Sequence, residues 1–380
     1  AALASLFMAW VIGAGSSGAT PFAPAVGANA IATMRAAFLV GIFGFVGAVT
    51  QGGSISEAVG SGLIGGVGLP IAGVILVLVL GAGLMAIGIL TGYPIATAFT
   101  VTGAVIGVGL ALGGTPVWVK YQQIAAVWAL TPLVGGGVAF VIASLLPRET
   151  VPERYSIPIL VALVGAVLVN IQFSFLGVGA TPGTISGVIQ RRLAMEGLGS
   201  VAGITAIVSL VIASLTWLDI RHDKSSGLRH VLLSLGALVA FSAGGSQVGL
   251  AVGPLLPLLD EIGMVSTSVV LVGGGLGMLI GSWTGAPRMI KSLAQDYSSL
   301  GPRRSISALV PSFLIAQLAV LLGVPVSFNE IVVSAIIGSG AAVGGRAAID
   351  ARKILMTVGA WAGSFSLSFT LAYLAGMVLL

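Results

Sequence analysis

The chain has 380 residues, of which 57% are hydrophobic and 7% charged, with 57 glycines and a formal net charge of +5. A water-facing surface needs roughly a quarter of charged residues, so a soluble globular domain is excluded. The absence of cysteine excludes disulfides, thiolate metal sites and cysteine nucleophiles, and sparse charge confined to loops points to lipid headgroups rather than nucleic acid.

In chain order, apolar runs long enough to cross or enter a bilayer fall at 1–11, 31–49, 67–90, 124–146, 157–178, 201–218, 231–243, 266–280, 306–322 and 354–380. Two more, 93–112 and 324–343, open near a proline and are laced with glycine. The expectation is an all-α, polytopic integral membrane protein with about 10–12 membrane segments, some re-entrant. The cell membrane, crossed many times, is the expected location, and the chain opens without a basic segment that would read as a signal peptide. His222 and His230 both lie in the polar stretch 219–230, so an intramembrane zinc enzyme is excluded; no metal site and no cofactor are expected.

An internal repeat is the most informative feature. Gly92-Tyr-Pro-Ile-Ala-Thr-Ala-Phe realigns on Gly323-Val-Pro-Val-Ser-Phe-Asn-Glu, 231 positions on, and the register continues through Gly107 and Gly338. An earlier pair, Gly18-Ala-Thr-Pro-Phe-Ala-Pro-Ala-Val-Gly and Gly244-Gly-Ser-Gln-Val-Gly-Leu-Ala-Val-Gly, has an offset of 226. The expected organisation is therefore two inverted repeats, 1–146 and 228–380, around a two-span connector, 147–227. Paired hydrophobic segments interrupted by Gly and Pro are the sequence pointer to a transporter's binding site. Gly-rich spans alone could equally serve close helix packing; four interrupted segments in two matched pairs favour the transporter.

Broken helices expose unpaired N–H groups and the positive end of a dipole at membrane depth, which binds an anion without a buried Lys or Arg. No basic residue lies in these four segments. Small polar residues cluster there instead: Ser16, Ser17 and Thr20; Thr97 and Thr100; Ser242, Ser246 and Gln247; Ser327 and Asn329. Each alone reads as well as a hydroxyl bonded back to its own helix; their joint placement does not.

These motifs resemble the two GANDxANA-like and two GxPVSTTH-like elements of the inorganic phosphate transporter (PiT) family. Phe241-Ser-Ala-Gly-Gly-Ser-Gln-Val-Gly-Leu-Ala-Val-Gly-Pro-Leu255 is similar to the second GAND element and Gly18-Ala-Thr-Pro-Phe-Ala-Pro-Ala to a degraded first; the segments opening at Gly92 and Gly323 are similar to the other pair. The resemblance implies an alternating-access symporter, with phosphate held at both STT positions. In this chain those positions are Ala96-Thr97-Ala98 and Ser327-Phe328-Asn329, and the family's His becomes Phe99 and Glu330. The family's Asn-Asp pair, which would hold cations, falls on Thr20-Pro21 and Ser246-Gln247, so both motif carboxylates are gone.

A site without those aspartates has fewer acceptors for the proton of monohydrogen phosphate, which narrows its preference over sulfate. Phosphate is the first expectation, and sulfate, carried by permeases similar to this family, the second. Glu330 is the one acid inside a repeat motif, and an ionisable group at membrane depth reads as functional, here as a site for a driving Na+ or H+. Ser16 and Ser242 are assigned beside it in ion coupling; Ser17, Thr20, Ala96, Thr97, Ala98, Ser246, Gln247, Ser327, Phe328 and Asn329 are assigned to the oxyanion. An anion channel and a non-transporting receptor remain alternatives from other classes; an enzyme is not expected.

Gly13-Ala-Gly-Ser-Ser-Gly18 fits a nucleotide-loop pattern, but it follows an apolar span and opens no βαβ unit. Trp10, Trp118, Trp128 and Tyr155 read as interfacial belt residues. Gly135-Gly136-Gly137 serves either internal packing or a homodimer.

Overall fold

The computed structural model describes residues 1–148, 152–178, 181–262, 266–344 and 350–380. The first part of the chain forms α1 (Ala2–Gly15), α2 (Ala23–Gly27), α3 (Thr33–Gln51), α4 (Gly53–Ser61), α5 (Ile71–Thr91), α6 (Thr97–Ala111) and α7 (Trp118–Leu145). A middle part holds α8 (Glu153–Asn170), α9 (Ile185–Arg192) and α10 (Leu198–His222). The remainder comprises α11 (Lys224–Val252), α12 (Leu256–Ile262), α13 (Thr267–Thr284), α14 (Ala286–Gln295), α15 (Pro302–Leu322), α16 (Phe328–Gly344) and α17 (Ala351–Leu379).

Among the described residues, nine helices are long and apolar enough to cross a membrane, and α1, α6 and α16 are shorter apolar helices. In hydrocarbon every backbone polar group needs an internal partner, and helices supply it. The only sheet among the described residues is two small antiparallel pairs, β1 (Ile64–Gly65) with β2 (Thr115–Pro116) and β3 (Gln172–Val178) with β4 (Thr181–Thr184). This is an all-α, multi-pass membrane protein.

Two expected spans are corrected. The run 157–178 is helical only to Asn170, and from Gln172 it becomes β3. Phe173 and Phe175 there alternate with polar residues in an antiparallel pairing with β4, in which Phe173 lies opposite Gly183. The run 231–243 is the middle of α11, which continues unbroken from Lys224 to Val252. Ser242, Ser246 and Gln247 therefore lie inside a continuous helix and not at a break.

The breaks before α6 and α16 are present. Gly92 ends α5 at φ +77° and Gly323 ends α15 at φ +57°, a left-handed backbone that glycine adopts without a Cβ penalty. Pro94 and Pro325 follow two residues later, and neither can continue the preceding helix.

Packing exchanges partners between the two ends of the chain. α6 lies along α17, and α16 along α7; α1 crosses α13, and α3 crosses α11. Glycines set the closest crossings, Gly13 and Gly244 among them. A Cβ on Gly13 would meet the Met278 carbonyl at 2.0 Å, and one on Gly244 the Gly44 carbonyl at 1.8 Å. These two crossing glycines are 231 positions apart, the offset of the Gly92 and Gly323 motifs. That correspondence sets Gly13-Ala-Gly-Ser-Ser-Gly18, and not the segment opening at Gly18, against Gly244–Gly249. The stripe 135–137 also has an internal partner, since a Cβ on Gly338 would meet the Gly136 carbonyl at 2.0 Å.

Candidate functional site

Four elements meet where α6 and α16 begin. Asn329, in the first turn of α16, donates through Nδ2 to the Ile95 carbonyl at 2.7 Å and to the Gly15 carbonyl at 3.2 Å. It thereby ties the entry to α6 and the end of α1 to its own helix. Gln247 on α11 donates through Nε2 to the Val326 carbonyl at 2.5 Å, and its Oε1 accepts from Ser16 Oγ at 3.3 Å. Two side-chain amides thus hold together the C-terminus of α1, the lead-ins to α6 and α16, and the C-terminal turns of α11.

Indoles brace the two lead-ins. Trp361 of α17 donates to the Pro94 carbonyl at 2.7 Å, and Trp128 of α7 donates to the Pro325 carbonyl at 2.9 Å. Trp128 also stacks on Phe99, with ring centroids 3.8 Å apart. The expectation that Trp128 is a belt residue is therefore corrected: its N–H is spent on a carbonyl that the helix break leaves free.

Lysines sit beside the same loops. Lys120 donates to the Gly323 carbonyl at 2.8 Å. Lys353 pairs with Asp296 at 2.5 Å, and Ser292 donates to the same carboxylate at 2.7 Å with its Oγ 3.4 Å from the Gly92 carbonyl.

The expected site residues divide by what their side chains do. Ser17, Thr20, Thr100 and Ser242 bond back to carbonyls of their own helix or turn, the bland role. Ala96, Ala98 and Phe328 offer no polar side chain; Ala96 caps α6, while Ala98 and Phe328 lie in the first turns of α6 and α16. The first three N–H groups of such a turn have no intrahelical acceptor. Thr97 Oγ1, Ser246 Oγ, Ser327 Oγ, Asn329 Oδ1 and Glu330 Oε2 are buried with no hydrogen-bond partner within the protein.

Unpartnered groups of this kind cost about 1–3 kcal/mol each, so five on segments that the Asn329 and Gln247 amides tie together mark a place built for something else. Ser327-Phe-Asn-Glu330 has the spacing of a capping box, yet Ser327 Oγ and Glu330 Oε2 make no such bond. Thr97, Ser246, Gln247, Ser327, Asn329 and Glu330 are each at most 1% exposed, so the site is closed to solvent in this conformation. Among the described residues no group of His, Cys, Asp and Glu is arranged to hold a metal ion.

The sequence reading missed a second polar file. Gln317 Nε2 on α15 donates to Ser242 Oγ at 2.6 Å and Gln51 Oε1 at 3.2 Å, and Gln51 Nε2 donates to the Gln172 carbonyl at 2.8 Å. Both glutamines line a cavity of about 920 Å³ that opens between α3, α4, α8 and α15. Isolated amides inside apolar runs were the available signal. Trp361 was also missed, although it lies 233 positions after Trp128.

The fold has a known counterpart. A solved structure described as the sodium-dependent phosphate transporter superposes with a TM-score of 0.78, covering 99% of this chain and 96% of that one at 20% identity. A candidate phosphate permease of Chlamydia pneumoniae is 28% identical, over 91% of this chain and 89% of its own. Another from Pyrococcus abyssi is also 28% identical, over 90% and 88%. The model of the phosphate transporter family, PHO4, matches residues 12–372, and the chain belongs to that family.

Proposed function

We propose that the chain carries inorganic phosphate across the cell membrane by cation-coupled symport, with the substrate bound where α6 and α16 begin. The observation that carries this reading is the mixture of unpartnered groups at one buried place. Thr97, Ser246 and Ser327 offer hydroxyl donors, while Asn329 Oδ1 and Glu330 Oε2 offer acceptors.

Monohydrogen phosphate presents oxygens to the donors and a P–OH proton to an acceptor. Sulfate presents oxygens only and leaves the acceptors unpaired. A site built to bond a substrate hydroxyl rejects an analogue lacking it more strongly than an apolar pocket can. Glu330 and Asn329 thus supply what the missing motif aspartates would have supplied.

The first-turn N–H groups of α6 and α16 add two positive dipole ends without a basic side chain. Glu330 is the assigned coupling group, and a driving Na+ or H+ would neutralise it when phosphate is bound. Because the site is closed, transport requires the two lead-ins to open in turn, and pairing of each lead-in with an indole from the other repeat suits rocking of two inverted repeats.

Equilibrium binding to the purified protein tests the site. Phosphate should bind more tightly than sulfate, and the double variant Thr97→Leu with Ser327→Leu should bind neither while remaining folded in the membrane. Unchanged phosphate binding by that variant would remove the site from α6 and α16.

A further inference from the structure

We propose that a second anion site, separate from the transport site, lies where α7, α8, α11, α15 and α16 converge, and that it takes the phosphoryl headgroup of an anionic phospholipid. A cavity of about 530 Å³ opens there. Its polar wall holds Lys224, Arg303 and Arg304 with a single described carboxylate, Glu153. Glu153 is shared between two cations: Lys224 pairs with it at 2.8 Å, and Arg303 donates to its other oxygen. Arg304 is aimed by Ser299, whose carbonyl and hydroxyl accept from Nη1 at 2.5 and 2.6 Å. Three cations against one anion leave the described wall two charges positive.

The cavity also includes the start of α15. Gly301 is its N-cap and has no side chain to satisfy the first turn, and Pro302 has no N–H of its own. The N–H groups of Arg303 and Arg304 therefore have no intrahelical acceptor beside their own guanidinium groups. Phosphoryl oxygens match this donor set in charge and geometry.

The other wall decides the source of the phosphoryl group. Ala143, Leu228, Leu300 and Val343 line it, two of them from the long apolar helices α7 and α11 and one from the shorter apolar α16. A free phosphate ion has no use for an apolar wall, whereas a phospholipid places its glycerol and acyl carbons along one. Basic pockets between membrane helices on one face are where anionic headgroups are held. The cavity is not the transport site. Val343 lies fifteen residues along α16 from Phe328, about 22 Å at 1.5 Å per residue.

Native mass spectrometry of the full chain in detergent, with phosphatidylglycerol or phosphatidylcholine added, tests the assignment. The expected result is preferential retention of phosphatidylglycerol, weakened about fivefold by Arg304→Gln and strengthened by Glu153→Gln. Arg191→Gln with Arg192→Gln, remote from the cavity, should leave retention unchanged. Equal retention of both lipids, or a loss with the remote pair as large as with Arg304→Gln, overturns the proposal. Thermal unfolding with millimolar inorganic phosphate separates the two sources. Stabilisation by phosphate that Arg304→Gln abolishes, without preference for phosphatidylglycerol, would assign the cavity to the free ion and overturn the lipid. Phosphate stabilisation that survives Arg304→Gln, with the lipid preference intact, supports the proposal.

Discussion

The indole of Trp361 donates to the carbonyl of Pro94 at 2.7 Å, across 267 residues of sequence. Trp128 does the same for Pro325, so each interrupted segment is held by a helix from the far end of the chain. Removing either indole leaves a buried carbonyl without its donor, at about 1–3 kcal/mol. Trp361→Phe and Trp128→Phe should each lower the melting temperature and reduce phosphate uptake, and comparing initial rates per folded molecule checks this. A variant with full stability and full uptake would deny the indoles any part in holding the site.

The unpartnered hydroxyls should behave in the opposite way. Ser246→Ala, Ser327→Ala and Thr97→Val each remove a buried polar atom that bonds nothing in the protein. Each should leave the melting temperature unchanged or raise it, while phosphate affinity falls by about 1 kcal/mol, roughly fivefold. Loss of stability together with unchanged affinity would make these hydroxyls structural.

Glu330 is buried in the first turn of α16 with one oxygen unpartnered. Glu330→Gln keeps the shape and removes the charge, so uptake should lose its dependence on the imposed cation gradient while phosphate still binds. Gradient-driven accumulation equal to that of the unaltered protein would remove Glu330 from coupling.

Asp296 is subject to opposing effects. Partial burial raises its pKa, but hydrogen bonds from Lys353 and Ser292, with the Lys353 charge, hold it below the ordinary 3.8. A depressed folded-state pKa contributes stability above the unfolded value, and that contribution is lost as pH falls through the folded value, here below 3.8. The side chain of Asp296 is 45% exposed, so the effect is small. Asp296→Asn should slightly destabilise the protein at neutral pH and match it once acid has protonated the carboxyl in both states. A difference that persists in acid would show that the charge is not its cause.

Lys224 and Arg303 meet at Glu153, which puts the starts of α8, α11 and α15 on one face; Lys120 meets Gly323 at the other end of α15. Arg148, Arg154, Arg221 and Arg304 crowd the first face, and basic loops stay on the cytoplasmic side. The chain has no cysteine, so single introduced thiols report sidedness. Ser225→Cys should react with a membrane-impermeant maleimide only from the cytoplasmic side, and Ser174→Cys only from outside; the reverse pattern would invert the orientation.

The helix breaks at Gly92-Tyr-Pro94 and Gly323-Val-Pro325 were legible in the sequence because Gly and Pro act locally. The continuity of α11 through Ser242, Ser246 and Gln247 was not, since small residues permit either a break or a tight crossing and the Gly44 backbone decides between them. The pairing of β3 with β4 was hidden by apolar strand residues that read as more helix. Asn329, Glu330 and the hydroxyls were singled out as candidates from motif position. The bracing by Trp128 and Trp361, and the amide file through Gln51 and Gln317, depended on which helices meet in space.

Uptake of radiolabelled phosphate and sulfate into proteoliposomes, with sodium and proton gradients imposed separately, tests the central claim most directly. The account predicts uphill accumulation of phosphate under one of the two gradients, exceeding that of sulfate and abolished by Thr97→Leu with Ser327→Leu. Accumulation of sulfate without phosphate, or flux of neither ion against its gradient, would contradict it.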